Sequence, residues 1–480
     1  MPDALRVPEL ARLLASGGDE RITLDAATGL NRYHSGPYPR AIRAYASSTS
    51  NDISPAAFAH VARLAASPKG TYPERLERLR GRIRRAYRLP DECEIVFAPS
   101  GTDLEYVALA AFAAQAPGGI HNVLLGADEV GSGCRLSAHG RFHALTTARG
   151  IATTLGEPVA GLENVSLVDV PVRCAKGLAR GIDAVADIVV AVEAARAMGR
   201  HPLVHVVHGS KTGMILPELS DIDRLAAAEG ERMSLVVDAC QARVTTEALH
   251  AYLDRGAIVL LTGSKFMGGP SFSGFALVPR QVAERAGPLP MGLVEVLRRA
   301  EWPEHWPGRE LLADEGNPGL WLRLEAALFE LEQFQALEIA EIERMLDAFQ
   351  RALESELVGP LGLSRVDPYP PGREIETRAH PIEMRTLVTL DVSSLPGART
   401  FDEAQGLHRS LALAGMRLGQ PVRCVRAANG EWGGTLRIGL SMPQLVDWSR
   451  LDDATLRSEL CSAMAEIADA LSAVRRVQAA

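Results

Sequence analysis

Lysine is scarce in this chain. Of 51 basic residues only Lys69, Lys176, Lys211 and Lys265 are not arginine. Arginine stays protonated at neutral pH and cannot serve as an amine nucleophile, so any amine chemistry must fall on one of these four. No apolar run approaches the roughly 20 residues that a membrane-spanning helix requires. Residues 1–15 show no basic stretch followed by a long apolar core and a cleavage site, so no secretory signal is expected. The cysteines Cys93, Cys134, Cys174, Cys240, Cys424 and Cys461 are scattered, without a CxxC pair. That argues against a zinc ribbon or a disulfide framework, predicts no metal centre, and fits a reducing cytoplasm. A net charge of −8 leaves little basic surface for nucleic acid or an anionic membrane. The one Arg-rich stretch, residues 75–88, is interrupted by Leu76, Leu79, Ile83 and Tyr87 at helical spacing and reads as an amphipathic helix with a solvated face.

What is present is ample apolar material, 47% of 480 residues, enough for more than one domain. Three regions are expected: an irregular segment over 1–73, a large α/β domain over 74–319, and a bridging helix with a small α+β domain over 320–480. Prolines and the polar cluster from Ser47 to Asp52 break up the first region. In the second, short apolar strands alternate with helices. Strands are expected at 94–98, 123–125, 165–170, 203–207, 234–241, 257–262 and 274–278, with helices at 104–115, 183–198, 221–228 and 246–255. A long helix over 320–353 follows, then strands at 385–392 and 436–440 and helices at 401–414 and 449–474.

Three strand ends carry candidate chemistry. Pro99-Ser100-Gly101-Thr102-Asp103 joins a strand to a helix start, where unpaired amides and the helix dipole favour an anion. Plain N-capping by Ser100 or Thr102 is the competing reading. The 234–241 strand ends in Asp238-Ala239-Cys240-Gln241, and a buried carboxylate there needs a cationic partner. The strand at 257–262 opens into Thr262-Gly263-Ser264-Lys265, which puts a lysine at the mouth of a buried run, as imine chemistry demands. One β-α-β unit separates Asp238 from Lys265. A right-handed crossover sets such strands side by side with their carboxyl ends on one edge.

In this order, with Gly269-Pro270 behind the lysine, the three pieces resemble fold-type I enzymes dependent on pyridoxal 5′-phosphate, most closely the class V aminotransferase and cysteine desulfurase branch. The resemblance implies a mostly parallel seven-stranded-type sheet flanked by helices, a smaller C-terminal domain and a homodimer. Lys265 would carry the cofactor as a Schiff base and Asp238 would pair with its ring nitrogen. Gln241 would hydrogen-bond the ring oxygen, Ser100, Gly101 and Thr102 would hold the phosphate with Thr262 or Ser264, and Arg437 would bind the substrate carboxylate. The aromatic residue that stacks on the ring in this family is replaced by Val130, so His208 or His143 would have to supply that contact. The implied activity is on a small amino acid, as an aminotransferase. A carbon–sulfur or carbon–carbon lyase is the alternative, with Cys424 the one candidate thiol for a desulfurase, and a non-catalytic binding protein is a third reading.

Overall fold

The computed structural model describes residues 7–180, 182–229, 232–369, 381–427 and 429–477. The strands in chain order are β1 (Arg43–Tyr45), β2 (Glu94–Ala98), β3 (Ile120–Leu125), β4 (Ser166–Val170), β5 (His201–His208), β6 (Ile215–Leu216), β7 (Ser234–Asp238), β8 (Ile258–Thr262), β9 (Gly274–Val278), β10 (Ser364–Arg365), β11 (Leu387–Asp391), β12 (Met416–Leu418) and β13 (Thr435–Gly439). The large sheet runs β2-β9-β8-β7-β5-β3-β4, with β6 attached to β5. Only β9 and the short β6 oppose the common direction. Such a sheet is covered on both faces, which is why its strands are continuous apolar runs rather than alternating ones. In β8, Val259 and Leu261 join one core and Ile258 and Leu260 the other. Ile95 and Phe97 part from Val96 and Ala98 in the same way.

The second core lies under helix Glu105–Ala113, which is buried almost all round, and includes Trp302 and Trp306. Helix Tyr72–Tyr87 covers the other face. It begins with a capping box in which Thr71 accepts from the Glu74 amide and Glu74 accepts from the Thr71 amide. Its basic face is not simply solvated. Arg80 is buried and donates to the Ile95 and Ala300 carbonyls, and Arg82 pairs with Glu325 and Glu332.

The helix expected over 320–353 is two: Pro318–Phe334 and Ile339–Ala352, the latter running into a π-helical turn Leu353–Val358. The helix expected over 449–474 is found at Asp453–Val477, preceded by a separate short helix, Met442–Trp448. The C-terminal sheet is antiparallel, β10-β11-β13, and carries Arg437 on the edge strand β13. The start of the chain is more ordered than its prolines suggest, because Pro55 opens helix Pro55–Ala66, a position where its missing N–H costs nothing. The strand β1 then pairs in parallel with β12, so residues 43–52 bridge the beginning and end of the chain. Among the described residues no helix is long and apolar enough to cross a membrane.

Candidate active site

A cavity of about 530 Å³ opens where β2, β7 and β8 end. Carboxyl ends of parallel strands are where open α/β sheets bind ligands. Parallel pairing sets Asp238 beside Leu260, so the last residue of β7 and the loop after β8 face the same space. Asp238 and Lys265 both line it, together with Ser100, Gly101, Thr102, Thr262, Ser264 and Arg437.

One end of the cavity is a strip of small residues. Ser100 and Asp103 lock the loop reciprocally: the Ser100 amide and hydroxyl donate to Asp103 Oδ2 at 3.0 and 2.6 Å, and Ser100 Oγ accepts from the Asp103 amide at 3.2 Å. The helix proper starts later, at Glu105, and has no side-chain cap, so Ser100 and Thr102 serve the loop rather than the helix end. Gly101 is pressed so close to its neighbours that a Cβ there would meet Cys240 Sγ and Thr262 Cγ2 at 2.9 Å. Arg21, absent from the sequence expectations, reaches the same strip. Its Nη1 donates to Thr102 Oγ1 at 3.1 Å and its Nη2 to Ser100 Oγ at 3.2 Å, while Asp19 holds it at 2.6 Å. The short 3₁₀ helix Glu20–Ile22, capped by Asp19, positions it. An isolated arginine in an irregular segment carries no local pattern that would have marked it.

The side-chain amine of Lys265 has no hydrogen-bond or ion-pair partner among the described residues, and its loop is fastened from outside by Asn51, whose amide donates to the Ser264 carbonyl at 3.1 Å and to the Lys265 carbonyl at 2.5 Å. Asp238 accepts from the Cys240 amide at 2.9 Å. Behind it stands a buried pair, His205 Nε2 and Glu105 Oε1, 3.0 Å apart. Ligand atoms of Glu105, Cys134 and Asp238 lie within 4.8 Å of one another. Burial pulls the His205 pKa down, but the Glu105 and Asp238 carboxylates outweigh it and the net shift is upward. The two neighbouring acids thus favour the protonated form of His205 in this dry region.

At the far end Arg437 is buried on β13. Its guanidinium donates to the carbonyls of Gln420 (2.7 Å), Ser48 (3.2 Å) and Lys211 (3.1 Å) and to Thr49 Oγ1 (3.0 Å). Burial lowers its pKa to about 10. Lys211 also lines the cavity, and burial with Arg437 nearby brings its pKa down to about 8.

Two expected residues lie off the cavity. Gln241 is buried and spends its amide on the Ser48 carbonyl at 3.1 Å. His208 is buried against Tyr252, Nδ1 to hydroxyl 3.0 Å, and Glu383, 3.4 Å. His143 faces Asp103 at 3.1 Å instead, and Val130 belongs to the core. The cavity wall at that level is Gly131, Ser132 and Cys134. Cys424 is buried away from the cavity, with its thiol pushed up to about 12 by burial.

No protein-family model and no curated protein matches the sequence. Solved structures do match in shape. A cysteine desulfurase from Thermococcus onnurineus NA1 superposes with a TM-score of 0.54 at 17% identity, covering 89% of this chain and 95% of that one. The cysteine desulfurase CsdA from Escherichia coli gives 0.54 at 15% identity over 89% and 94%. A NifS-like protein gives 0.53 at 13% over 87% and 99%. Agreement over nearly the full length of both chains at such low identity establishes architecture, and the chain has the fold-type I architecture of the cysteine desulfurases.

Proposed function

We propose that this protein is a pyridoxal 5′-phosphate enzyme that acts on a small amino acid, working as an aminotransferase and as a homodimer in the cytoplasm. One observation carries the reading: adjacent parallel strands deliver Asp238 and the unpartnered Lys265 to a single cavity whose other end is a glycine-centred cradle of hydroxyls and a guanidinium. The residues present fit the cofactor. Thr102, whose hydroxyl hydrogen is uncommitted, and Arg21 offer donors suited to a phosphate, Ser100 holds the loop through Asp103, and the space a Cβ at Gly101 would fill is what lets backbone approach it. When bound, the cofactor supplies an electron sink that makes the substrate α-C–H acidic.

The chain's own groups do the rest. Asp238, with the Glu105–His205 pair behind it, would pair with the ring nitrogen and keep its proton in place. Lys265 Nζ would hold the cofactor and, once displaced by the substrate amine, would serve as the base for the α-proton. The remaining Nη2 hydrogen of Arg437 is available to a substrate carboxylate. The desulfurase-like architecture keeps a lyase as the second reading. Against desulfuration stands the thiol inventory: Cys134 and Cys240, the cysteines on the cavity wall, are held well above the usual thiol range by burial. Six free cysteines suit a reducing compartment.

The purified protein should show a visible absorbance band that shifts on addition of an amino acid, and borohydride should fix the cofactor to Lys265. Release of a keto acid with the cofactor left in its amine form indicates transfer, whereas turnover without an acceptor indicates a lyase. A Lys265→Ala protein that still fixes the cofactor on reduction refutes the assignment. Sedimentation checks the dimer.

A further inference from the structure

The cavity is strongly one-sided in charge. Its wall carries Arg21, Arg32, Lys211, Lys265, Arg409 and Arg437 against one carboxylate, Asp238. Two of the cations are accounted for. Arg21 is paired with Asp19 at the cradle, and Lys265 stands with Asp238 at the cofactor end. For Arg32, Lys211, Arg409 and Arg437 no carboxylate among the described residues lies within ion-pair distance. The acids nearest them are engaged elsewhere. Glu129 is held by Arg173 at 2.8 Å and by Ser210 and Thr212, and Asp25 accepts from the Ala27 and Thr28 amides.

These four form two tiers. Arg437 and the half-buried Lys211 form the inner tier: Arg437 donates to the Lys211 carbonyl, and the Lys211 amine donates to the Asp128 carbonyl at 2.9 Å. Arg32 and Arg409 are exposed at the mouth. Between the tiers are two imidazoles, His34 and His408, with ring centroids 6.1 Å apart. Burial depresses both, His408 to about 4, so they stay neutral and add hydrogen-bonding capacity without more charge. Glu129 and Asp25 act on these cations only from beyond contact distance, a buried cation gains from a contacting counter-charge, and one substrate α-carboxylate can contact only one of them. The exposed pair adds a field that draws anions into the cleft.

We propose that the substrate carries a second acidic group besides its α-carboxylate, so that the enzyme selects dianionic amino acids, with Arg32, Lys211 and Arg409 as the specificity-determining residues. This rests on the pyridoxal-phosphate reading above. The shared chemistry is an anionic side chain, and carboxylate and phosphate forms are separate arms of the test.

The test is an absorbance titration of the cofactor-loaded protein with L-glutamate against L-glutamine, L-aspartate against L-asparagine, and O-phospho-L-serine against L-serine. The acidic member of at least one pair should half-saturate the spectral change at a concentration about tenfold or more below its neutral isostere. That ratio should shrink as salt is raised. In an Arg32→Gln/Arg409→Gln double variant it should fall several-fold, and in Lys211→Gln likewise, whereas Arg409→Lys should keep most of it. Because the ratio is read only from protein that displays the cofactor band, a variant that fails to fold cannot imitate the result. Equal half-saturation by the acidic and neutral members of all three pairs, with cofactor fixed on Lys265, overturns this inference alone. Failure of borohydride to fix cofactor on Lys265 overturns the parent reading and this one with it.

Discussion

At Gly101 the missing side chain is what the site uses. A methyl group there collides with Cys240 Sγ and Thr262 Cγ2, and overpacking of this kind costs about 1–3 kcal/mol. Gly101→Ala should therefore weaken retention of the cofactor by at least about tenfold, measured by equilibrium dialysis, while leaving most of the protein folded. The buried Glu105–His205 pair gives a pH signature. His205 holds its proton more tightly in the folded chain than in the unfolded one, where imidazole titrates near 6.5. Its contribution to stability is complete below that pH and fades as the pH rises through the folded value. Glu105→Gln should lower stability by about 3 kcal/mol at about pH 6, because a buried charge loses its partner. It should also flatten that part of the pH dependence, which urea unfolding midpoints measured across the neutral range would reveal. The same variant should shift the pH at which the cofactor spectrum changes, since Asp238 lies in the same cluster. Lys265 and Asp238 were legible as residues because a charged group at the end of a buried apolar run stands out. Arg21, Glu105 and His205 were not, because nothing in their immediate sequence distinguishes a charge committed to a site from one committed to water.

Among the elements, helix Pro318–Phe334 shows how a cap doubles as a tertiary tie. The side chain of Asn317 accepts from the Leu320 amide at 3.0 Å and donates to the Gly17 carbonyl at 2.9 Å. Asn317→Ala should cost about 1–2 kcal/mol, whereas Asn317→Asp keeps the cap and loses only the donor, so it should cost less; thermal unfolding of both distinguishes them. This helix is also the surface on which the lysine loop turns, since a Cβ at Gly263 would meet Ala327 Cβ at 2.3 Å. The strands of the large sheet could be read within a few residues, because short runs buried on both faces leave a strong signal. The division of 320–353 into two helices could not. Gln335-Ala336-Leu337-Glu338 contains no glycine or proline, and the turn is set by what the two helices pack against.

Over the whole molecule, the amino-terminal segment forms part of the cavity wall and ties it to β12. Arg417 is buried on β12, and its pKa is drawn down by burial against the opposing pull of Asp52, to which it donates at 2.9 Å. Asp52 also receives Arg40, and Arg417 reaches the Ser50 carbonyl at 2.9 Å. Asp52→Asn should cost about 3–5 kcal/mol and raise the amino-acid concentration needed for the spectral response, because Ser48, Thr49 and Ser50 line the cavity. Parallel denaturation and titration curves would show the two losses together. By itself the sequence determined the alternation of strand and helix and which residues stand at the strand ends, since periodicity, small-residue turns and a rare lysine are local properties of the chain. Only the tertiary structure decided that Gln241 and His208 are held by Ser48, Tyr252 and Glu383, that Arg21 enters the cradle, and that cations without a contacting carboxylate gather along the cavity. Those outcomes depend on contacts between residues up to hundreds of positions apart, and free energies of that kind leave no imprint on neighbouring residues.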